Sequence, residues 1–440
     1  MSETQWRPPN AELERRVLAK VTWRLMPLLM LGVFINYVDR VNIGVASVPM
    51  SEDLGLSAAA FGLAAGLFYL GYLVFEIPSN IALARFGARI WLARIMMTWG
   101  LCTIALAFTA GEWSLNILRF LVGAAEAGFY PGVLLYLSFW FPARALAKAY
   151  ALFTAGIPVS LALASVVTAA LLLLDGTLGW AGWRWAFLLE GIVPILLAFL
   201  MLFLLVDHPS KAKWLSPEER DYLEAQVTVR GAHATEGAGL LMRVLSSGTA
   251  WLFSVLYFSM TIGFWSITYW MPRIVGERFD IDATQAGLIS SIPWVLAIAA
   301  IIISPRTSAR TGDRRWHMFG GLGAAAIGLY LGAAADSPVL ALIGLSLGAA
   351  GFFATIPLFW DQAAKFFAGA AAVVALAMIN SLGNVSGLVG PYVLGFFEDL
   401  TGSNRVGLYI MCVFFAVAAF LSFAITRVPS RSTLARPAGG

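Results

Sequence analysis

Twelve apolar runs, each long enough to cross a lipid bilayer, recur along a chain of 440 residues, and most are joined by short polar connections. They lie near 24–46, 58–83, 90–110, 114–139, 146–173, 185–206, 250–275, 284–304, 317–334, 338–360, 369–397 and 406–426. At about 20 residues per span, twelve spans use about 240 residues and leave the rest for loops and helix overhangs. Composition agrees. Charged residues make up 12 % of the chain, where a soluble domain carries about 25 %. Too little charge remains to cover a soluble surface of this size. With only two cysteines, Cys102 and Cys412, a disulfide scaffold is excluded, and because both sit in apolar runs no redox compartment is read from them. The first run follows a polar stretch, has no small-residue cleavage site and is succeeded by eleven more, so it reads as a span and not as a leader. The pattern predicts an all-α polytopic membrane protein in the cell (inner) membrane.

A long polar connection at 207–249 holds Pro209, Pro217 and the helix-like run from Ser216 to Gln226. It divides the chain into two six-span halves, 24–206 and 250–427, flanked by segments 1–23 and 428–440. Of the 29 basic residues, 23 fall on the side of the membrane that holds the N-terminus and four (Arg184, Arg273, Arg278, Arg405) on the other. Such asymmetry places both termini and the central connection in the cytoplasm. The net charge of +4 is thus a topology signal, and no nucleic-acid partner is read from it. The halves echo each other: Arg85-Phe-Gly87-Ala-Arg89 follows span 2 and Arg310-Thr-Gly312-Asp-Arg314 follows span 8. Repeats of this kind build many secondary transporters.

These features and several motifs resemble the major facilitator superfamily, and within it the anion:cation symporters that include tartrate, phthalate and hexonate transporters. The motifs are Asn36-Tyr37-Val-Asp39-Arg40 in span 1, Glu76-Ile-Pro-Ser-Asn80 leading into Arg85–Arg89, the run from Arg119 through Glu126 to Gly132 in span 4, and Asn380-Ser-Leu-Gly-Asn384 through Pro391 in span 11. The resemblance implies two six-helix bundles around a central cavity, alternating access, and gating roles for Arg85, Gly87, Arg89, Arg310, Gly312 and Arg314. The chain departs from the family pattern at Ala84, at Ala309 (where an acid is usual) and at Asp361, Gln362 and Lys365, where relatives tend to be apolar.

Ionisable groups inside spans are costly and mark functional pathways. In span 1, Asn36 and Tyr37 share a helical face with Arg40, while Asp39 lies about 100° round the helix. Arg40 and Asp39 therefore address different neighbours. In span 4, Arg119 and Glu126 stand seven apart on one face, with small residues around Glu126. Arginine stays charged, and its planar fork matches a carboxylate. Buried carboxylates can instead take up protons. The expectation is that an organic anion binds Arg40 with Tyr37 and Arg119, while Glu126 and Asp39 couple protons, roles that the family resemblance also implies. The alternatives are structural ion pairs, an interfacial snorkelling Arg119 and a Glu126 satisfied by hydrogen bonds.

In the second half, Ser259 and Tyr269 of span 7, Trp360 of span 10, and Asn380 and Asn384 of span 11 are candidate substrate contacts, with interhelix hydrogen bonding as the alternative. Trp270 reads as interfacial belt, Glu190 as structural, and Glu76 as gating or anchoring. His208, His233 and His317 fall in loops without metal-ligand spacing. No Walker A, H-E-x-x-H or G-x-S-x-G sequence is present, so neither ATP drive nor an enzyme site is read. No cofactor and no obligatory protein partner is expected; the partners are the bilayer, protons and a small organic anion. The sequence predicts proton-coupled uptake of a hydroxy- or sugar-derived carboxylate. Rival readings are an aromatic carboxylate, an exchanger or exporter, and, from other classes, a membrane-embedded enzyme or channel.

Overall fold

The computed structural model describes residues 11–227, 238–367 and 370–427. Parts of the three polar segments, including His233, lie outside them. The first half comprises α1 (Ala11–Val45), α2 (Ser47–Leu54), α3 (Ala58–Phe86), α4 (Ala88–Leu106), α5 (Glu112–Glu126), α6 (Phe129–Ser138), α7 (Ala143–Leu172) and α8 (Gly182–Leu204). The polar connection carries α9 (Pro217–Val227) and α10 (Ala238–Leu245). The second half comprises α11 (Gly248–Phe279), α12 (Ala283–Ile289), α13 (Ile292–Thr311), α14 (Arg314–Ala334), α15 (Pro338–Phe366), α16 (Ala370–Thr401) and α17 (Arg405–Arg427). Among the described residues these supply 12 segments long and apolar enough to cross a membrane, with α5–α6 forming span 4 and α12–α13 span 8. Helical spans are the expected solution, since hydrocarbon offers backbone groups no partner except one another.

Within each half, small residues let helices approach to backbone contact. A Cβ added at Gly123 of α5 would fall 1.9 Å from the Phe68 carbonyl oxygen of α3, and one at Gly328 of α14 would fall 2.5 Å from that of Gly344 in α15. Lipid tails give no hydrophobic drive for helix association, so close packing of this kind supplies it.

The halves meet through their extracytoplasmic ends. Gly62 and Gly66 of α3 pack on the backbone of Pro391 and Leu388 in α16, and Gly44 of α1 packs on that of Tyr269 in α11. Asp399 of α16 reaches across to accept the Ala58 and Ala59 N–H groups at 2.9 and 2.8 Å, capping α3 from the other bundle. Trp270, expected in the interfacial belt, is fully buried in this contact. It donates to the Pro391 carbonyl at 3.2 Å and meets Phe61 edge-on.

The central connection is moored to the first half. Ser216 and Glu219 exchange side-chain and backbone hydrogen bonds at the start of α9, a capping box written in the sequence Ser-Pro-Glu-Glu. Glu219 also pairs with Lys20 at 2.9 Å, with Arg16 at 3.7 Å. Burial works to raise the Glu219 carboxyl, but Lys20, the Ser216 N–H and Arg16 together hold it below its ordinary range. Arg144 of α7 donates to the Tyr222 hydroxyl at 2.7 Å.

Candidate functional site

Arg40 and Glu126 form a buried ion pair. The Arg40 Nε and a terminal nitrogen both reach Glu126 Oε1, at 2.7 and 2.5 Å. Three rings surround the guanidinium, those of Tyr37, Phe68 and Tyr72, at 5.0 to 5.5 Å from their centroids. Glu126 is fully buried, and its second oxygen has no partner. The side-chain amide of the buried Asn36 also lacks one.

Span 4, read from sequence as continuous, is broken beside this pair. α5 ends at Glu126, Ala127 is extended, and Gly128 has φ +87° before α6 begins. A Cβ at Gly128 would lie 2.4 Å from Ser79 Oγ, so both the backbone conformation and the approach of α3 require glycine. Pro131 in the first turn of α6 contributes no N–H to a continuous ladder. The open carbonyl end of α5 favours positive charge, which Arg40 provides. Irregular backbone at this depth is tolerated where it is buried in protein or lines a cavity.

Arg119, seven residues before Glu126 on the same helix, does not pair with it. It is fully buried, with Nε 3.4 Å from the Ala64 carbonyl, the Phe68 ring at 5.1 Å and both terminal nitrogens without a hydrogen-bond partner. Asp39 turns away from Arg40, as the helical angle predicts. It accepts the Thr103 hydroxyl at 2.7 Å and is approached by Asn42 at 3.5 Å. Asn42 in turn donates to Glu190 at 2.9 Å, and Thr168 donates to the other Glu190 oxygen at 2.7 Å. Thr103, Thr168 and the α3 tyrosines were missed in the sequence. The i, i+3 spacing of Tyr69 and Tyr72 was the available signal.

The second half faces this cluster with neutral groups. The Tyr269 hydroxyl donates to that of Tyr69 at 3.3 Å across the bundle interface, and Trp265 packs on the Tyr69 ring at 4.9 Å. Trp360 is half-buried and meets Tyr257 edge-on at 5.0 Å. Ser259 is buried in α11, while Asn380 and Asn384 are half-buried on one face of α16. Gly383 and Gly387 beside them accommodate the rings of Tyr257 and Tyr69.

At the cytoplasmic ends, Gly87 joins α3 to α4 with φ +87° and ψ 149°. Asp207, just after α8, accepts the Arg89 N–H at 2.8 Å, and Arg89 Nε donates to the Leu202 carbonyl at 2.7 Å. Arg85 is exposed. In the second loop Gly312 has φ +70°, Arg310 is exposed, and Arg314 pairs with Asp361 at 2.8 Å. Asp361 also takes Lys365 at 2.7 Å, so the atypical end of span 10 is a charge cluster reaching the second loop.

Residues 29–391 match the Major Facilitator Superfamily. A protein of Agrobacterium vitis named "Putative tartrate transporter" is 41 % identical over 97 % of this chain and 95 % of its own length. A quinolone resistance transporter of Acinetobacter baumannii is 35 % identical over 94 % and 96 %. The inner membrane transport protein RhmT of Escherichia coli is 31 % identical over 93 % and 95 %. Among solved structures, a bacterial homologue of the human lysosomal transporter Spinster superposes with a TM-score of 0.76 at 17 % identity, covering 94 % of this chain and 97 % of that one. Two bundles of membrane-spanning helices, charges held inside them and relatives matched nearly end to end identify the chain as a multi-pass secondary transporter of the major facilitator superfamily, of the anion:cation symporter type.

Proposed function

We propose that the protein takes up a small organic anion, a hydroxy- or sugar-derived carboxylate, together with protons. The observation that carries this reading is the Arg40 fork closed on Glu126 beside the break in span 4. A substrate carboxylate and Glu126 compete for the same guanidinium. Protonating Glu126 releases Arg40 to the substrate, and removing the proton restores the internal pair and expels it. Proton and anion thereby favour one another without a moving part beyond the side chains. Asp39 is the second proton-coupling group. Arg119, with two unpartnered nitrogens, holds positive potential behind Arg40. The Asn380 and Asn384 amides suit substrate hydroxyls, and Tyr37, Ser259, Tyr269 and Trp360 complete the wall. The two glycine-hinged loops act as cytoplasmic gates. The Agrobacterium relative's name agrees with such a substrate.

A second reading is favoured by the aromatic wall of the second half. Tyr257, Phe359 and Trp360 pack within 5.4 Å of one another and would suit an aromatic carboxylate. The test is uptake by purified protein in liposomes, with L-tartrate and benzoate as probes, driven by an imposed pH gradient. Arg40→Ala is expected to abolish uptake. Glu126→Gln is expected to abolish accumulation while sparing exchange of internal for external substrate. Uphill uptake by Glu126→Gln equal to that of the unmutated protein would sink the coupling scheme.

A further inference from the structure

Glu190 is a buried carboxyl that the scheme above does not use. It is 6 % exposed, and Asp39, on the neighbouring helix, is 3 % exposed. The Asn42 amide stands between them, and each acid has its own hydroxyl donor: Thr168 for Glu190 and Thr103 for Asp39. None of the ion pairs among the described residues includes either acid. Asp39 Oδ2 and Asn42 Oδ1 are buried without hydrogen-bond partners. Two ionised carboxylates joined through one neutral amide, with no cation in salt-bridge contact, would each carry a desolvation penalty of several kcal/mol with little attraction to offset it. Such a pair holds at least one proton, as coupled buried acids do.

The surroundings bear on that conclusion from every side. From α1 come Asp39 and Arg40, and Arg40 is engaged by Glu126. From α5 comes Arg119, whose one hydrogen-bond partner among the described residues is the Ala64 carbonyl and which makes no ion pair with either acid. α4 contributes Cys102 as well as Thr103, and α7 contributes Thr168. On α8 itself the next charge is Arg184, more than a turn toward the extracytoplasmic end, where it is occupied by Asp53 of α2.

The position is informative. Glu190 stands eight residues into α8, about 12 Å from its extracytoplasmic end at 1.5 Å per residue. Thr103 and Thr168 lie within about one turn of the same ends of α4 and α7. A recess of about 520 Å³ on that face is lined by Val45, Ser47, Ser51 and Glu52, so it reaches to within one turn of Asn42. Glu126, at the far end of α5, is deeper.

We propose that Glu190 and Asp39, bridged by Asn42, form one proton-binding site, loaded through Glu190 from the extracytoplasmic side. It is distinct from the Arg40–Glu126 pair, and the second proton, assigned above to Asp39 alone, is held by the two acids jointly and enters on Glu190. The proton moves onto a Glu190 oxygen, and the Asn42 amide turns with it, donating to whichever acid remains ionised. The transport part of this inference rests on the proton-coupled reading above; proton occupancy of the site does not.

Two measurements separate them. Infrared difference spectroscopy of the purified, substrate-free protein across pH reads protonated carboxyl groups directly. Glu190→Gln is expected to remove one titrating carboxyl band, and Thr168→Val, which takes away only a donor to Glu190, to displace that band in wavenumber. A spectrum unchanged in both variants overturns the site. In liposomes with L-tartrate, Glu190→Gln is expected to lose one coupled proton, lowering the accumulation ratio about tenfold under a one-unit pH gradient, with exchange preserved. An unaltered ratio overturns the coupling role. Failure of the unmutated protein to move tartrate overturns the substrate reading alone, and the infrared titration still decides the site.

Discussion

The two bundles share a loop design and differ in what they bury. The first half holds Asp39, Arg40, Arg119, Glu126 and Glu190 at no more than 6 % exposure. At matching depth the second half offers rings, hydroxyls and amides: Phe264 stacked on Phe352 at 4.3 Å, Tyr257 on Phe359 at 5.0 Å, and Ser259 and Asn384 beside them. Both halves hinge their cytoplasmic loop on a glycine of positive φ, Gly87 and Gly312, while their interiors differ. In the scheme proposed above, ion chemistry falls to one wall of the site and shape recognition to the other. On that proposal, the coupling residues can stay constant while the opposite wall is altered to suit a new substrate.

The sharpest way to break this comparison is to remove one member of the buried pair. Glu126→Ala strands the Arg40 charge and is expected to cost about 3–5 kcal/mol of stability. Replacing both partners, Arg40→Met with Glu126→Leu, is expected to recover most of that loss while leaving no transport. Thermal unfolding in detergent reads the first effect, and liposome uptake reads the second. If the double variant is as unstable as Glu126→Ala, the pair is not the isolated unit described.

Next in size is the hinge. Gly87→Ala must place a Cβ 2.7 Å from the Asp207 carboxylate at φ +87°. The strain is expected to be about 1–3 kcal/mol, visible as a lowered melting temperature. The open surroundings of Gly312 leave Gly312→Ala with backbone strain alone and a smaller loss.

On the neutral wall, Trp360→Ala is expected to raise KM about tenfold, roughly 1.4 kcal/mol, with the pH dependence of uptake unchanged. A variant whose pH profile moves with its KM would mean that the two walls are not separable.

The smallest effect concerns Glu219. Its carboxyl is held below the ordinary range, so its contribution is present above the unfolded value of about 4.3 and disappears as pH falls through the lower folded value. Hydrogen exchange in α9 is expected to accelerate in that acidic window, while α14 at the second loop stays unchanged. Glu219→Gln should remove the acid-dependent part, about 0.5–1 kcal/mol.

Much of this was legible before any coordinates. Hydropathy alone placed all the spans, because hydrocarbon punishes every exception. The charged residues inside spans are the ones the first bundle buries, and the helical angle between Asp39 and Arg40 separates their neighbours. What could not be read was pairing between helices. Arg119 and Glu126 share a face of one helix, yet Glu126, the last residue of α5, pairs with Arg40 from α1. Glu190 looked structural because its partners, Asn42 and Thr168, lie 148 and 22 residues away. Trp270 carried the composition of a belt residue, and only the approach of α16 shows it enclosed.

The moorings of the central connection have a mechanical consequence. Asp207 is fastened to Arg89, Glu219 to Lys20 and Tyr222 to Arg144. In any rocking of one bundle against the other, the first bundle therefore carries the connection along as a rigid attachment as far as α9. Shortening the connection between Asp207 and α9 would therefore pull on the first bundle alone.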